Sequence, residues 1–522
     1  MVTASDNVSA THPEYDKYRP DWRQMRDTFS GQRAVKEAGQ LYLPPTGGMI
    51  LDGMGYCGAE KSKGQAAYDA YLMRALFHAF VKDAVQTMLG MLWNKESVYT
   101  LPDSMKYLMG RASIEGDGLK QLHRRIHQEQ LITGRLGLLA DAMPKGKGVK
   151  PDPYIALYTA ESIKNWDAGF RGDTPVETVN LVVLDESGPE RTGIFMYEDV
   201  EQHRVLVLGD PIANESDGVY RYGVFKDEES FDMSLMKTPI FNAKSLTFIP
   251  FTFITCNSVT DTIPQPPLMG LSDLDLALYR LEADYRLALY QQTQDTLFTK
   301  GFADNANEAI RIGVGGRIHS PQSKGDAKFI GVTSKGLPEM RTAIENDSKA
   351  AASKAGELMD PSSRARESGT ALEMRIGSKT ATMNEIAISS AEGLQQTLRH
   401  IGRMRGLSES QVQEITVQPN MRFTSMEFSA LELKDLTEAK MNGAAVSFRS
   451  MHKWAVSRGY TTLDFDEMVE EIKNEMDLTQ EMQPDPTPLE QEQLNIEQQK
   501  VDIQQQVADK PVPKPAAAPA RK

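Results

Sequence analysis

The stretch that most constrains this 522-residue chain lies between residues 272 and 297, where apolar side chains fall on two opposite sides of one expected helix. At about 100° per residue, Leu274, Leu278, Leu281, Tyr285 and Ala288 form one stripe, and Leu276, Tyr279, Ala283, Leu287 and Tyr290 form the other. The flanks between them hold Asp275, Glu282 and Arg286 on one side and Arg280, Asp284 and Gln291 on the other. A surface helix of a globular protein carries a single apolar stripe, so this one needs two partners. A bundle inside one chain could sandwich it, or neighbouring copies in a closed ring could clasp it through a repeated heterologous contact. The pattern alone leaves both arrangements open.

The segments downstream of this helix narrow the architecture. Residues 298–332 are punctuated by Gly313, Gly315, Gly316 and Gly325 and read as a small hairpin-bearing insert. The insert is locally basic: Lys300, Arg311, Arg317, His319, Lys324 and Lys328 stand against Asp304, Glu308 and Asp326, as an ordinary charged hairpin or as a patch for a partner. A returning helix over 333–358 starts at Pro338 and keeps Leu337, Met340, Ile344, Ala351, Ala355 and Leu358 on one face. At 1.5 Å per residue the two helices predict a stalk roughly 30 to 40 Å long, tipped by the insert. Residues 359–369 then form a polar loop containing Asp360, Pro361, Ser362, Ser363, Arg364, Arg366, Glu367 and Ser368. Thr370, Ala371, Leu372 and Glu373 fit a capping box that opens a helix running to about Arg405. Its apolar side carries Leu372, Ile376, Met383, Ala387, Leu394, Leu398 and Ile401.

Upstream, residues 1–64 are rich in Gly, Pro and polar groups and predict an irregular arm. Tyr68, Leu72, Leu76, Phe80, Ala84 and Met88 predict one long helix over 65–95, and a second helix is expected over 119–143. Between Tyr154 and Thr255 the runs TVNLVVLDESG, RTGIFMYE, HRVLVLGD, VYRYGVF and LTFIPFTFIT predict an antiparallel β module, completing a region over 65–267. After the long helix and a return strand (370–428), residues 429–479 alternate short amphipathic helices with Gly443 and Gly459 as breaks. Residues 480–522 are Gln-rich and end in PVPKPAAAPARK, an extended or disordered tail, although Leu489, Ile496 and Ile503 permit a short helix. The fold class expected is α+β.

Composition excludes several classes. A formal charge of −14 argues against a dedicated nucleic-acid clamp, since tight duplex binding needs cations that release counterions; it leaves room for a conduit in which DNA slides. No run of eighteen apolar residues occurs and the first thirty residues lack an apolar signal core, so neither membrane insertion nor secretion is expected. Cys57 and Cys256 are too few for a disulfide framework or a four-ligand metal site. Gly53, Gly55 and Gly58 match a dinucleotide pattern in letters only, without the strand, turn and helix it requires, and no phosphate-loop motif is present. His123 and His127 share a helix face at zinc-ligand spacing, but Arg124 stands where a zinc protease needs Glu, and a solvated face is the expectation. No catalytic residue, cofactor or metal is expected.

The order of parts, together with the stretches IPFTFI, PPLMGLSDLDLALYRLEADY and ESGTALEMRIGS, resembles portal proteins of tailed bacteriophages over roughly residues 66–477. The resemblance implies an α/β wing (65–267), a first stem helix (268–297), a clip (298–332), a second stem helix (333–358), a tunnel loop (359–369), a long wing helix (370–428) and a helical crown (429–479). It further implies a ring of identical subunits, typically twelve, at the capsid vertex of a virion, assembled in the host cytoplasm. Partners would be the terminase large subunit, a head-tail adaptor, major capsid and scaffolding proteins, and double-stranded DNA without sequence specificity. Asp360 to Ser368 would face the channel, with Arg364 and Arg366 meeting phosphates; the clip cations would meet the motor and later the adaptor. Leu274, Leu276, Leu278, Tyr279, Leu281, Tyr285, Leu287 and Tyr290 would pack between subunits. Another virion structural protein, or a divergent nuclease or NTPase, is the alternative.

Overall fold

The computed structural model describes residues 7–54, 62–142, 152–170, 177–209, 218–226, 231–293, 296–300, 326–330, 336–356, 369–421, 423, 438, 447–458 and 464–481. The chain forms two compact units, residues 1–425 and 426–522.

The first unit opens on a helix, α1 (Pro13–Ser30), where an irregular arm is expected from composition. The His12 side chain accepts from the Glu14 N–H, Pro13 sits in the first turn where its missing N–H is not needed, and Glu14 and Asp16 complement the helix dipole. Tyr15, Trp22 and Met25, spaced by seven and three, are buried along its inner face. Those sparse large side chains outweigh Pro20 inside the helix, which is why a composition-based reading misses it. Two short helices come next, α2 (Gln32–Glu37) and α3 (Gly47–Leu51).

The single helix expected over 65–95 is two helices, α4 (Lys63–Arg74) and α5 (Phe80–Leu92), separated where Ala75 is extended and Ala79 adopts a left-handed conformation at φ 58°. The break lets the halves fill different cores. Tyr68, Tyr71 and Phe77 pack with Tyr279, whereas Val81, Ala84, Val85 and Met88 pack with Met25 and Met383. After β1 (Val98–Thr100) comes α6 (Leu119–Ile132), eleven residues short of its expected end at 143. Gly134 at φ +75° turns the chain, with Pro266 Cα 3.4 Å from where a Cβ would stand, and the apolar run beyond it is a strand, β2 (Arg135–Ala142). Residues 135–140 are buried on both faces, so their periodicity carries no strand signature.

The expected antiparallel module is present: β3 (Pro153–Thr159), β4 (Ile163–Phe170), β5 (Glu177–Asp185), β6 (Gly188–Arg191), β7 (Tyr197–Val200), β8 (Gln202–Leu208), β9 (Tyr220–Lys226), β10 (Ile240–Phe241), β11 (Lys244–Ser245) and β12 (Phe251–Thr255). One sheet has the order β12–β2–β3 and another β4–β5–β8–β9, while β6–β7 and β10–β11 are separate hairpins. The two larger sheets share a core with α1, α6 and a long helix near the end of the unit.

The remainder of the unit runs α7 (Met269–Gln292), β13 (Thr296–Lys300), β14 (Asp326–Ile330), α8 (Leu337–Gly356), that long helix α9 (Gly369–Met404), α10 (Glu409–Gln413) and β15 (Thr416–Gln418). β13 and β14 pair antiparallel from Thr296↔Ile330 to Lys300↔Asp326, and β15 pairs with β1. At 36 residues α9 extends about 54 Å. Met383, Ala387, Leu394, Leu398 and Ile401 are buried as its periodicity expects; the side chains of Leu372 and Ile376 lie outside those described. Gly393 lets α9 press onto β12, for a Cβ there would fall 2.4 Å from Ile254 Cγ1.

In the second unit α11 (Phe448–Arg458) and α12 (Phe465–Glu481) occupy part of the helical stretch expected over 429–479. His452 meets the Phe465 ring edge-on at 5.3 Å, and Arg449 lies 3.7 Å from Asp466. Among the described residues no helix is long and apolar enough to cross a membrane.

Candidate functional site

The candidate site is the segment from α7 to α9. All of Asp360, Pro361, Ser362, Ser363, Arg364, Arg366, Glu367 and Ser368 lie outside the described residues, as do Arg311, Arg317, His319 and Lys324. Lys300 and Lys328 are described and exposed, on the paired strands β13 and β14.

α7 is covered unequally along its length. Leu276, Leu278 and Tyr279 are buried by their own chain. Leu276 and Tyr279 pack with α4 and the α4–α5 break, and the Tyr279 ring meets Phe77 edge-on at 5.9 Å. Leu274 packs against the core of α5, and Ser272 is hydrogen-bonded to Gln24 and Thr28 of α1. Through Ala283, therefore, one chain supplies partners to both stripes. Leu281, Tyr285 and Leu287 are half-buried, and Leu289 and Tyr290 remain 42% and 40% exposed. The guanidinium of Arg74 lies over the Tyr290 ring at 3.8 Å.

The flank read as polar holds some of the most enclosed groups. Asp275 is buried and accepts from the Val81 N–H at 3.4 Å, which gives α5 an acceptor that its own N-terminal Ala79 lacks. Burial pushes the Asp275 carboxyl up to about 7, because the charged form loses its hydration. Glu282, two turns further along the helix, accepts from Arg286 Nε at 2.8 Å and lies 3.4 Å from His78 Nε2. No periodicity reveals these acids as buried; for Asp275 the signal is the missing cap on another helix.

His123 and His127 also depart from expectation. They are enclosed between α6, α9, Trp93 and Tyr99, not solvated. Both Nε2 atoms meet Ser390 Oγ, at 3.0 and 2.7 Å, while Tyr99 Oη is 2.9 Å from His123 Nδ1. Trp93 Nε1, which can only donate, lies 3.0 Å from His127 Nδ1. That contact fixes the lone pair on Nδ1 and puts the His127 proton on Nε2, facing the serine, so the pair is arranged as a hydrogen-bond network and not as metal ligands. Burial lowers His123 to about 3 and holds His127 well below the ordinary histidine value, so both are neutral. Among the described residues no group of three or more His, Cys, Asp or Glu could hold a metal ion.

Two further features escape sequence reasoning. Arg135 is fully buried, its guanidinium 3.9 Å from the Trp166 ring and 4.9 Å from Phe253, and burial lowers it to about 9. Between β6 and β7, Ile194, Phe195, Met196 and Tyr197 are 73%, 91%, 65% and 62% exposed. The apolar run in RTGIFMYE signals a strand, but it lies largely in the turn of an isolated hairpin.

A family model described as a domain of unknown function, DUF4055, matches residues 267–403, a span that takes in α7, β13, β14, α8 and nearly all of α9. No curated protein matches the sequence. Three chains from structures of gene transfer agent (GTA) particles are similar at low identity. One, from the neck of an empty particle computed with C6 symmetry, is 13% identical, with 75% of this chain and 90% of that chain covered and a TM-score of 0.34. One from the virion of a native particle is 13% identical over 79% and 98%, with a TM-score of 0.36. One from the neck of a native particle computed with C12 symmetry is 12% identical over 81% and 99%, with a TM-score of 0.33. Scores this low assign neither fold nor function to this chain.

Proposed function

We propose that the chain is a portal subunit of a tailed-phage particle: a structural, non-enzymatic component of a ring that conducts double-stranded DNA. The observation that carries this reading is the order of elements from Met269 to Met404, in which two helices bracket an antiparallel strand pair and a 36-residue helix comes after them. In this reading α7 and α8 are the stem, the β13–β14 insert meets the terminase large subunit and later a head-tail adaptor, and residues 359–369 face the channel. Capsid and scaffolding proteins surround a ring of typically twelve copies at the virion vertex, assembled in the host cytoplasm. The net charge of −14 suits a wall along which DNA slides without being held. Because the chain itself covers α7 as far as Ala283 and half-buries Tyr285 to Ala288, contacts between copies at the stem fall to the exposed residues near its end, Leu289 to Gln291.

Electron micrographs of the purified chain test the reading. Rings with a central hole are expected; a lone compact particle under all conditions, including those of capsid formation, overturns it. Assays for nucleotide hydrolysis and DNA cleavage should show no turnover. Turnover abolished by one carboxylate substitution would replace the conduit with an enzyme.

A further inference from the structure

The β6–β7 hairpin and the exposed end of α7 are complementary in charge and in apolar character. Among the described residues the hairpin belongs to no larger sheet, and its turn and the start of β7 carry four consecutive large apolar side chains that are mostly in water. Contiguous exposed apolar surface of this kind marks an interaction site. Its strands carry Glu190, Glu198 and Asp199 outward, whereas the nearby cation, Arg191, is turned back onto the carbonyls of Gly193 and Ile194. The projection is thus an apolar tip on an acidic stalk.

An apolar surface rimmed by cations lies elsewhere on the same unit. Met73, at the end of α4, is 77% exposed, and next to it Arg74 reaches across to stack on Tyr290, whose neighbour Leu289 is also exposed. Lys36 donates to the Met73 carbonyl from one side, while Arg286, one helical turn before Tyr290, is paired with Glu282. Asp284, the nearest acid on this part of α7, is held by the Tyr71 hydroxyl at 2.6 Å.

We infer that the β6–β7 hairpin of one copy docks on the Met73–Tyr290 surface of a second copy of this chain. A knob and a socket at different places on one polypeptide make a heterologous contact, which repeats from copy to copy and closes into a ring when the rotation allows. The inference deepens the portal reading, on which its ring closure rests, by naming the surfaces that join the copies. The apolar tip supplies the buried centre of the contact, and Glu190, Glu198 and Asp199 face Lys36 and Arg74 around it.

Sedimentation velocity on the full chain, wild type against Phe195→Asp/Met196→Asp, tests the docking. Both side chains are in water in the single copy, so the variant should keep the far-ultraviolet circular dichroism spectrum of the folded wild type while its sedimenting mass falls from rings to single copies. Rings of unchanged mass in the variant overturn the docking and leave the portal reading standing; a wild-type chain that never associates overturns both. In a second arm, p-benzoylphenylalanine placed at position 195 and irradiated should join two copies through the peptides holding Met73 or Tyr290. Joining through any other region, or no joining within assembled rings, overturns the docking.

Discussion

The two halves of α7 carry the same kind of sequence and have different surroundings. From Met269 to Ala283 the helix is enclosed by α1, α4, α5 and their connections, to the point that Asp275 and Glu282 are buried with the leucines. From Asp284 to Gln292 the same two stripes continue, yet Leu289 and Tyr290 stay exposed. A helix with two greasy sides therefore does not identify an oligomer; the answer depends on how far the chain's other helices reach along it. The first half is enclosed by the chain's own helices, and the second is covered only in part, with Tyr285 to Ala288 half-buried and Leu289 and Tyr290 exposed.

The largest test of this contrast removes a side chain from the enclosed half. Leu278→Ala should cost about 2 to 5 kcal/mol in urea unfolding, the range for a leucine deleted from a packed core. A loss below about 1 kcal/mol would mean that α7 is not enclosed there.

Acid sharpens the contrast from outside α7. His123 and His127 are neutral in the fold and bind protons below about 6.5 once unfolded, so their contribution is complete above that pH and is lost as pH falls below it, for His123 toward about 3. The slope should reach about 1.4 kcal/mol per pH unit for each imidazole. Unfolding free energies at pH 7.0 and about 5.5 should differ less in His127→Gln than in the wild type; equal slopes would place the protonation elsewhere.

Asp275 acts in the opposite direction. Its carboxyl is raised in the fold to about 7, so the folded chain holds a proton that the unfolded chain has lost, and stability falls as pH rises from about 4 through 7. Asp275→Asn keeps the acceptor for the Val81 N–H and should be more stable than wild type by roughly 1 to 3 kcal/mol at pH 8, with the difference vanishing near pH 4. A destabilised variant at pH 8 would show that the charge itself, held at the N-terminus of α5, is what the fold uses.

The smallest effect is expected at the exposed end. Tyr290→Ala should change the unfolding free energy of a single copy by less than about 1 kcal/mol, because its ring is 40% exposed and stacks on the flexible Arg74 side chain. A larger loss would erase the distinction between the two halves.

Much of this architecture is legible in the residues. The α7, α8 and α9 helices, the strand-bearing insert between the first two, and the antiparallel character of residues 154–255 all come from periodicity and turn residues. Long regular elements repeat their signal many times, so local pattern suffices. The same reasoning fails where an element's surroundings override its pattern: α1 is held by a few large side chains in a polar segment, β2 is apolar on both faces, and the α4–α5 break exists because two different cores claim the two sides. The candidate site divides in the same way, for the two stripes of α7 are visible in the letters whereas the fate of Leu276, Leu278 and Tyr279 is not.

By itself, then, the sequence determined the helical character of α7, α8 and α9 and the strand character of residues 154–255, the acidic balance of the whole, and the two-sided character of α7. Only the tertiary structure decided that Asp275, His123, His127 and Arg135 are enclosed, that α7 is satisfied at one end and open at the other, and that the β6–β7 tip stands in water. The physical reason is that period and propensity are properties of neighbouring residues. Burial, by contrast, is set by groups far apart in the chain, and a carboxylate on α7 or an imidazole on α6 acquires its state from a helix end or a serine that no local pattern can foresee.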